Sequence, residues 1–594
     1  MSQLLFLRGA ASLHHVATLL QFQPKFLAYI LYKKPALTKY SSFNMAKRDG
    51  GVRTINAPSP ELRLLQHNLS DLLQNCVEEI NAGKKWKDQL AHGFKRDCSI
   101  ITNAVRHRKR RYVFNVDLHD FFGTINFGRV RGFFIKDANF MLHPKVATIL
   151  AQIACHENAL PQGSPCSPVI SNLIGHVLDI HLCKLASSNG CTYSRYADDI
   201  TFSTSKPDFP PAIARRGVGQ AHTWEVGNGL QNIVTHTGFS INPKKTRMQY
   251  RGSRQAVTGL VVNRKVNIRT EYRRKARALA QRLFNTGSFQ HVRTIPDANG
   301  VVTPTIVEGT LAQLHGIFGH IDSVDCHNFE IESKVDARKA KTALRSKEKL
   351  YRRFLMFKDF YAAKRPVIVC EGKTDNIYLL HAITSLAAYY PKLATVDANK
   401  KISLNIRILK TVQTSTGRVL QLEGGAAFLK AFIEQYLTEI QKFKALGMQC
   451  AVVLVVDNDT AGDDIYNAIR RLTKKKAPKS DPYVHIEGNL YAVLTPLKAG
   501  AVKSTIEDSF VDEIKNLNLG GKTFNANSNA DTAVHFGKHI LSQHVREHAG
   551  KIDFTGFAGL LDRINEAIEA HQAKVAGAMA GGPFKRGSIT RVCP

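Results

Sequence analysis

YSRYADDITFS, residues 193–203, decides the fold. Aromatic and β-branched residues flank Ala197-Asp198-Asp199 and predict two short strands folded back on each other. Tyr196 and Asp198 sit two apart, on one face of a strand, with Asp199 at the hairpin tip. Adjacent carboxylates repel one another without a cation. A lone Asp-Asp pair is usually a surface turn, because aspartate is a turn residue by its own chemistry. Two earlier segments change that reading. YVFNVDLHDFF, 112–122, is an apolar strand running into Asp117, with Phe121 and Phe122 behind it. LPQGSPCSPVISN, 160–172, is a Pro/Gly loop opening an apolar helix. Phosphoryl transfer from a nucleoside triphosphate needs charge neutralised on the attacking and leaving oxygens, which two Mg²⁺ ions roughly 3.5–4 Å apart supply. Mg²⁺ takes hard oxygen ligands from only a few carboxylates, and Asp117, Asp198 and Asp199 are such a set.

The 594 residues are enough for three or four domains of roughly 150 residues. With 44% hydrophobic and 22% charged residues, a packed globular protein is expected and wholesale disorder is excluded. Lys+Arg 82 against Asp+Glu 48 leaves +34, an excess that points to a polyanion partner, most often nucleic acid. The 10 cysteines form no CxxC, so a zinc ribbon or redox pair is not expected, and scattered thiols suit a reducing cytoplasm. No run of about 18 uncharged apolar residues exists, so no membrane span is expected. The N-terminus reads as an ordinary amphipathic helix rather than a leader.

Residues 1–40 read as helices, Asp49-Gly50-Gly51 as a turn between two short strands, and Leu62, Leu65, Leu69 and Leu72 as one helix face. Basic helices are expected after residue 270 and over 332–365. The texture then changes: PVIVC, 366–370, and AVVLVV, 451–456, are apolar strands among helices, the pattern of a parallel α/β domain. Each runs into acid, Glu371 in the first case, Asp457 and Asp459 in the second. A spacing of two puts both aspartates on one side of an extended chain. The carboxyl ends of such strands form the ligand crevice of open α/β sheets, so three carboxylates there suggest Mg²⁺ again. Gly462 would permit a tight turn into the next helix. EGKT, 371–374, and GGKT, 520–523, lack the first glycine of a phosphate-cradling loop, so no ATPase is expected. Lys474-Lys475-Lys476 reads as a solvated loop, and the tail from Ala573 onward as loose.

In order, the three aspartate-bearing segments resemble the sequence blocks of reverse transcriptases: the first Asp on a strand, the Q-G-x-x-x-S-P loop, then Y-A-D-D. The resemblance implies a right-hand polymerase of fingers, palm and thumb, with Asp117, Asp198 and Asp199 holding two Mg²⁺ ions. It implies that Phe122 is the bulky gate excluding a ribose 2′-OH and that Gln162 lies beside the incoming dNTP. Arg53 would approach the triphosphate, and Lys245, in GFSINPKKT, matches the basic residue of the following block. Asn103-Ala104-Val105-Arg106-His107 and Val257-Thr258-Gly259 resemble the N-A-x-x-H and V-T-G elements of the retron branch. That branch binds a structured noncoding RNA and primes from a 2′-OH, making branched multicopy single-stranded DNA. Asn103, His107, Val257, Thr258 and Gly259 are therefore expected at the RNA, with Arg273, Arg274 and Arg277 of a thumb helix on the duplex backbone. The implied limits are fingers and palm over 1–255, thumb over 256–330, and a basic helical linker over 331–364.

The second set, Glu371 with Asp457, Asp459 and Gly462 in D-x-D-x-x-G, resembles the TOPRIM domain of topoisomerases, primases and nucleases. It implies a parallel α/β domain over 365–594 with a C-terminal extension, one or two Mg²⁺ ions, and phosphodiester chemistry on RNA or DNA. Glu507-Asp508 matches a further acidic element or caps a helix, and Lys373 either contacts phosphate or is solvated. The whole would be a cytoplasmic bacterial retron polymerase fused to a toxic effector of antiphage defence, acting on host RNA such as tRNA, with no membrane partner. A homo-oligomer around the RNA–DNA hybrid is a candidate assembly. The rival readings are a TOPRIM sensor without catalysis, a TOPRIM that processes the branched product, and a domesticated polymerase outside the retron branch.

Overall fold

The computed structural model describes residues 2–47, 51–83, 90–217, 222–296, 302–335, 344–410, 414–474, 478–526 and 531–580. Asp49 and Gly50 of the expected turn, Lys475 and Lys476, and the tail beyond 580 with Cys593 lie outside the described residues. Two compact units divide the chain. The first is Met1–Arg274 with His291–Val307 and Ser323–Ser333; the second is Lys275–Gln290, Glu308–Asp322 and Lys334–Pro594.

The first unit is built on a four-stranded antiparallel sheet. Its spatial order is Thr192–Tyr196, Asp199–Thr204, Tyr112–Leu118, Ile241–Tyr250. Tyr112–Leu118 is buried at every residue but Asn115, so it takes an inner place. Its register puts Asp117 opposite Asp199 on one side and Asn242 on the other. The helix Ser167–Ser188 shares this core through Val169, Ile170, Leu178 and Leu182. So does Pro60–Ala82, whose buried Leu62, Leu65, Leu69 and Leu72 keep the expected helical spacing. Ser167–Ser188 is the one helix among the described residues long and apolar enough to cross a membrane; half of it is buried in the unit and it carries the charged Asp179.

The strands expected around residues 40–58 pair as an antiparallel hairpin, Tyr40–Ala46 with Val52–Pro58, placing Met45 opposite Arg53. The helix expected after residue 270 spans Thr270–Thr286. A hairpin that sequence patterning did not separate follows, Gln290–Pro296 with Val302–Glu308.

The basic stretch 332–365 is not one helix. Leu311–Ser333 ends there, and helix resumes at Ser346–Met356, passing into a π turn at Phe357–Tyr361. Aromatic residues recur between its lysines and arginines at helical spacing, so it packs as an amphipathic helix instead of standing free. Tyr351 and Phe354 lie 5.4 and 5.2 Å, ring to ring, from Phe318 within the second unit.

The second unit carries a five-stranded sheet ordered Arg407–Ile408, Val367–Cys370, Val452–Val456, Leu490–Leu494, Val484–Glu487. All neighbours are parallel except the last pair. Val367–Cys370 and Val452–Val456 are buried throughout, as strands covered on both faces must be.

Candidate active centres

In the first unit the turn between the paired strands is Ala197-Asp198, since Tyr196 pairs with Asp199. Asp198 therefore stands at the tip and Asp199 begins the returning strand, one place earlier than the sequence pattern suggested. The two-residue loop demands a left-handed residue, and Ala197 supplies it at φ 57°. A non-glycine residue there is strained, and such strain is held only where the surroundings over-determine it.

Those surroundings centre on Arg195. It is fully buried, and its Nε and Nη2 each donate to Asp179 at 2.7 Å. Its Nη1 donates to the Ala197 carbonyl at 3.0 Å and to Asn172 at 3.3 Å. The Tyr193 hydroxyl donates to the same Asp179 at 2.6 Å. Gly175 leaves room for this guanidinium: a Cβ there would lie 2.9 Å from Nη2. The helix opened by the Pro/Gly loop thus grips the hairpin from inside. The sequence reading missed this pair; its signal is an arginine within a buried strand and an aspartate among the apolar residues of 167–188.

Asp117 is buried and accepts from Lys245 Nζ at 3.3 Å and Asn242 Nδ2 at 3.2 Å. Desolvation and the Asp117 charge raise the Asp198 carboxyl, while Lys245 and Arg53 pull it down. Asp199 is exposed at the start of its strand; desolvation, then the Asp198 and Asp117 charges, push it up to about 6. Lys245 is raised in turn by Asp117, which outweighs its own desolvation together with Asp198 and Asp199. Arg53, exposed on its hairpin, is thus within electrostatic reach of the acids. That hairpin is docked on the Gln162 loop: Asn56 N–H donates to the Gln162 carbonyl at 2.8 Å. Gly163 makes the approach possible, with φ +124° and a Cβ position only 2.6 Å from the Asn56 oxygen. Phe122 is half-buried between Phe121 and Phe94, rings 5.5 and 6.2 Å away.

The residues expected at the RNA divide. Asn103, His107 and Val257 have 0% exposure, so their side chains offer no surface to RNA, and the expectation of direct contact by them is corrected. The His107 nitrogens bond Ser203 and Ser194 hydroxyls at 2.7 Å each, and Ser194 donates to Asn103 at 2.6 Å. Burial, then Arg106 and Arg110, push His107 down to about 3, so it is neutral. This network braces the back of the aspartate hairpin. Thr258 and Gly259 form a left-handed turn, φ 46° and 84°, and the Thr258 hydroxyl donates to the Ile100 carbonyl at 3.1 Å. The N-A-x-x-H and V-T-G elements therefore meet in one structural brace. Arg273 pairs with Asp325 at 3.2 Å, while Arg274 and Arg277 are exposed.

In the second unit Glu371 and Asp457 follow neighbouring parallel strands at their carboxyl ends. Asp459 caps the helix Thr460–Thr473, accepting from Gly462 N–H at 2.8 Å. Gly462 is needed for close approach rather than turn freedom: a Cβ there would overlap the Asp457 carbonyl oxygen, 1.9 Å away. Asp457 accepts from Ile506 N–H at 2.9 Å. Desolvation first, then Asp375 and Glu507, push Asp457 up to about 8. Glu371 is raised by desolvation and by Asp459 and Asp375. The Glu507-Asp508 pair splits its duties. Glu507 is buried and joins the centre, while Asp508 caps its own turn through Thr505 N–H at 2.7 Å. Two members escaped the sequence reading. Asp375 sits four residues after Glu371, a helical spacing that would have flagged it. Lys538 Nζ pairs with Glu507 at 3.0 Å from far along the chain, with no local signal.

Among the described residues no group of three His, Cys, Asp or Glu side chains already stands in a metal-holding arrangement. The donor chemistry nonetheless fits a hard cation in both units. Asp198 and Asp199 are raised by desolvation and then by negative charge, from Asp117 on Asp198 and from Asp198 and Asp117 on Asp199. Glu371 Oε2 and Glu507 Oε1 are buried with no hydrogen-bond partner.

An antiparallel sheet presenting these aspartates defines a reverse-transcriptase-like fold, and the family model for reverse transcriptase (RNA-dependent DNA polymerase) matches residues 45–281. Three similar proteins are narrower. Retron Ec86 reverse transcriptase of Escherichia coli is 31% identical over 48% of this chain and 82% of its own length. Retron Mx162 reverse transcriptase of Myxococcus xanthus is 37% identical over 38% of this chain, and Retron Mx65 reverse transcriptase of the same organism 35% over 40%. The matches span 47% and 55% of those two relatives, about half their length. The chain belongs to the retron reverse transcriptase family.

Proposed function

We propose that the first unit is an RNA-directed DNA polymerase. It would copy a structured noncoding RNA into single-stranded DNA, priming from a 2′-OH. The observation that carries this is Asp117 paired in register with Asp199, with Asp198 at the adjoining turn, in a chain of the retron family. Asp117, Asp198 and Asp199 would hold Mg²⁺, which when bound neutralises charge on the attacking and leaving oxygens. Lys245 holds Asp117 in place, and Arg53 brings positive charge to the triphosphate side. Phe122, fixed between Phe94 and Phe121, would bar a ribose 2′-OH. Gln162 lies at the docked hairpin, where the dNTP would enter. Residues to about 255 serve as fingers and palm and 256–330 as thumb, with Arg274 and Arg277 on the duplex backbone. Priming from RNA is tested by extracting the product and asking whether RNase shortens it.

The second unit is read as a TOPRIM-type, Mg²⁺-dependent phosphodiester centre formed by Glu371, Asp457 and Asp459 with Glu507. The supporting observation is buried, unpartnered carboxylate oxygen at the carboxyl ends of parallel strands. Desolvation, then the Asp459 and Asp375 charges, raise the Glu371 carboxyl above its ordinary value, suiting it to proton transfer. Joined to a retron polymerase, such a centre would act as an effector in antiphage defence, restrained by the RNA–DNA product. Incubating the purified chain with labelled RNA and DNA in Mg²⁺, before and after stripping its product, tests the restraint. Equal cleavage in both states would sink it.

A further inference from the structure

Beside the second acidic centre the molecule has a groove of about 460 Å³. One wall is the helix Lys373–Ser385, the other the helix Lys538–His548 of the C-terminal extension. Lys373, His381, Lys410, His539 and Arg546 line it. Lys373, Lys410, His539 and Arg546 are exposed, and no ion pair engages the two lysines or the arginine among the described residues. Among the described residues no carboxylate offsets His381: desolvation and then the Arg546 charge lower its pKa. Unpaired like charges facing one another are unfavourable unless a polyanion lies between them.

Residues that line the groove adjoin the acids along the chain and at the sheet edge. Leu409 N–H donates to the Ile368 carbonyl at 2.9 Å, so Lys410 leaves the sheet at the same carboxyl edge as Glu371. Lys373 is two residues beyond Glu371, and His539 directly follows Lys538, which pairs with Glu507. Asn376, 7% exposed, lines the groove and its Oδ1 has no partner, leaving an acceptor for a sugar hydroxyl.

We propose that this groove holds the sugar–phosphate backbone of a nucleic-acid strand and feeds it to the Glu371–Asp457 centre. The C-terminal extension is then a substrate-binding wall. The proposal rests on reading that centre as a phosphodiester site. Recognition is electrostatic and indifferent to base identity, carried by Lys373, Lys410 and Arg546.

The test uses the full chain and a fluorescein-labelled 30-nucleotide strand, RNA and DNA in turn, without Mg²⁺, followed by hydrogen exchange. The strand should protect peptides from both 373–385 and 538–548, and Lys410→Glu with Arg546→Glu should remove that protection. With Mg²⁺ the same double variant should lose about tenfold or more in cleavage at low strand concentration and recover in part at saturation. Asp457→Asn should keep the protection and lose cleavage. Protection without cleavage by the unaltered chain would keep the groove and overturn the catalytic reading. Cleavage that depends on Asp457 but leaves both helices unprotected would overturn the groove and keep that reading. Equal protection by inorganic phosphate alone, with no added effect of the strand, would also overturn it, making the groove a small-anion site.

Discussion

The two acidic centres reach similar chemistry by opposite routes. In the first unit the carboxylates are set by antiparallel register, Asp117 against Asp199, and by a two-residue turn that lifts Asp198. In the second they are set by the ends of parallel strands, Glu371 and Asp457, and closed by acids from beyond the sheet. The first centre is ringed by cations: Lys245 on Asp117, Arg53 and Arg247 within electrostatic reach. The second sets Glu507, Asp457, Asp375 and Glu371 against Lys538. Hence Asp457 is pushed up to about 8 where Asp199 reaches about 6. An antiparallel centre is precise because each strand is tied to its neighbour residue by residue. A parallel-edge centre depends on what the loops bring, and so carries more uncompensated charge.

The largest effect that could break the comparison is loss of one activity without the other. Asp198→Asn with Asp199→Asn should lower dTTP incorporation on poly(rA)·oligo(dT) by at least about a thousandfold, since removing designed transition-state electrostatics costs orders of magnitude. The same double variant should leave strand cleavage unchanged, and Glu371→Ala or Asp457→Asn should do the reverse. A single variant that abolishes both activities would mean that the centres are not independent.

Next in size is the grip behind the first centre. Arg195→Met leaves Asp179 buried and unpaired, which should cost about 3–5 kcal/mol in urea unfolding. Adding Asp179→Leu should return much of that stability, because a buried ion pair is often replaceable by apolar packing. Incorporation should remain low in the repaired variant, as nothing would then hold the Ala197 carbonyl.

A smaller effect sharpens the contrast through pH. Both raised carboxyls bind their proton more tightly folded than unfolded, where the value is about 4. Their contribution to metal-free stability is therefore complete below about pH 4. It is lost as pH rises through about 6 for Asp199 and about 8 for Asp457. Mg²⁺ should accordingly raise Tm more at pH 8.5 than at pH 5.5. Asp457→Asn should remove more of that pH-dependent gain than Asp199→Asn. An equal Mg²⁺ effect at both pH values would contradict the charge account.

The smallest effect lies at Ala197. Glycine tolerates φ 57° without the Cβ penalty of roughly 1–2 kcal/mol. Ala197→Gly should therefore be neutral to about 1 kcal/mol stabilising in urea, after the entropy glycine loses on folding.

Much of this was legible in the sequence, for identifiable reasons. Asp117, Asp199, Glu371 and Asp457 lie at or just beyond an end of an apolar strand and Asp198 in the turn between two, so strand pattern exposed them once the segments were read together. The Leu62–Leu72 face and the helix after residue 270 were carried by periodicity. What stayed hidden depended on long range. Arg195 and Asp179 belong to different elements, and only tertiary packing shows that they meet. Lys538 lies far along the chain from Glu371. The buried roles of Asn103 and His107 were obscured because a polar side chain reads as surface until its partners, Ser194 and Ser203, are known. The 332–365 stretch reads as a basic linker by composition, and its aromatic face becomes decisive only against Phe318.

The central claim, a retron polymerase built on the Asp117–Asp199 register, is tested most directly by what the protein carries. The chain would be expressed with the DNA preceding its reading frame and purified beside the Asp198→Asn/Asp199→Asn variant. Bound nucleic acid would then run on a denaturing gel before and after RNase. The account predicts a short DNA whose mobility shifts on RNase treatment and which is missing from the variant. RNA bound equally to both proteins, with no DNA in either, would contradict it.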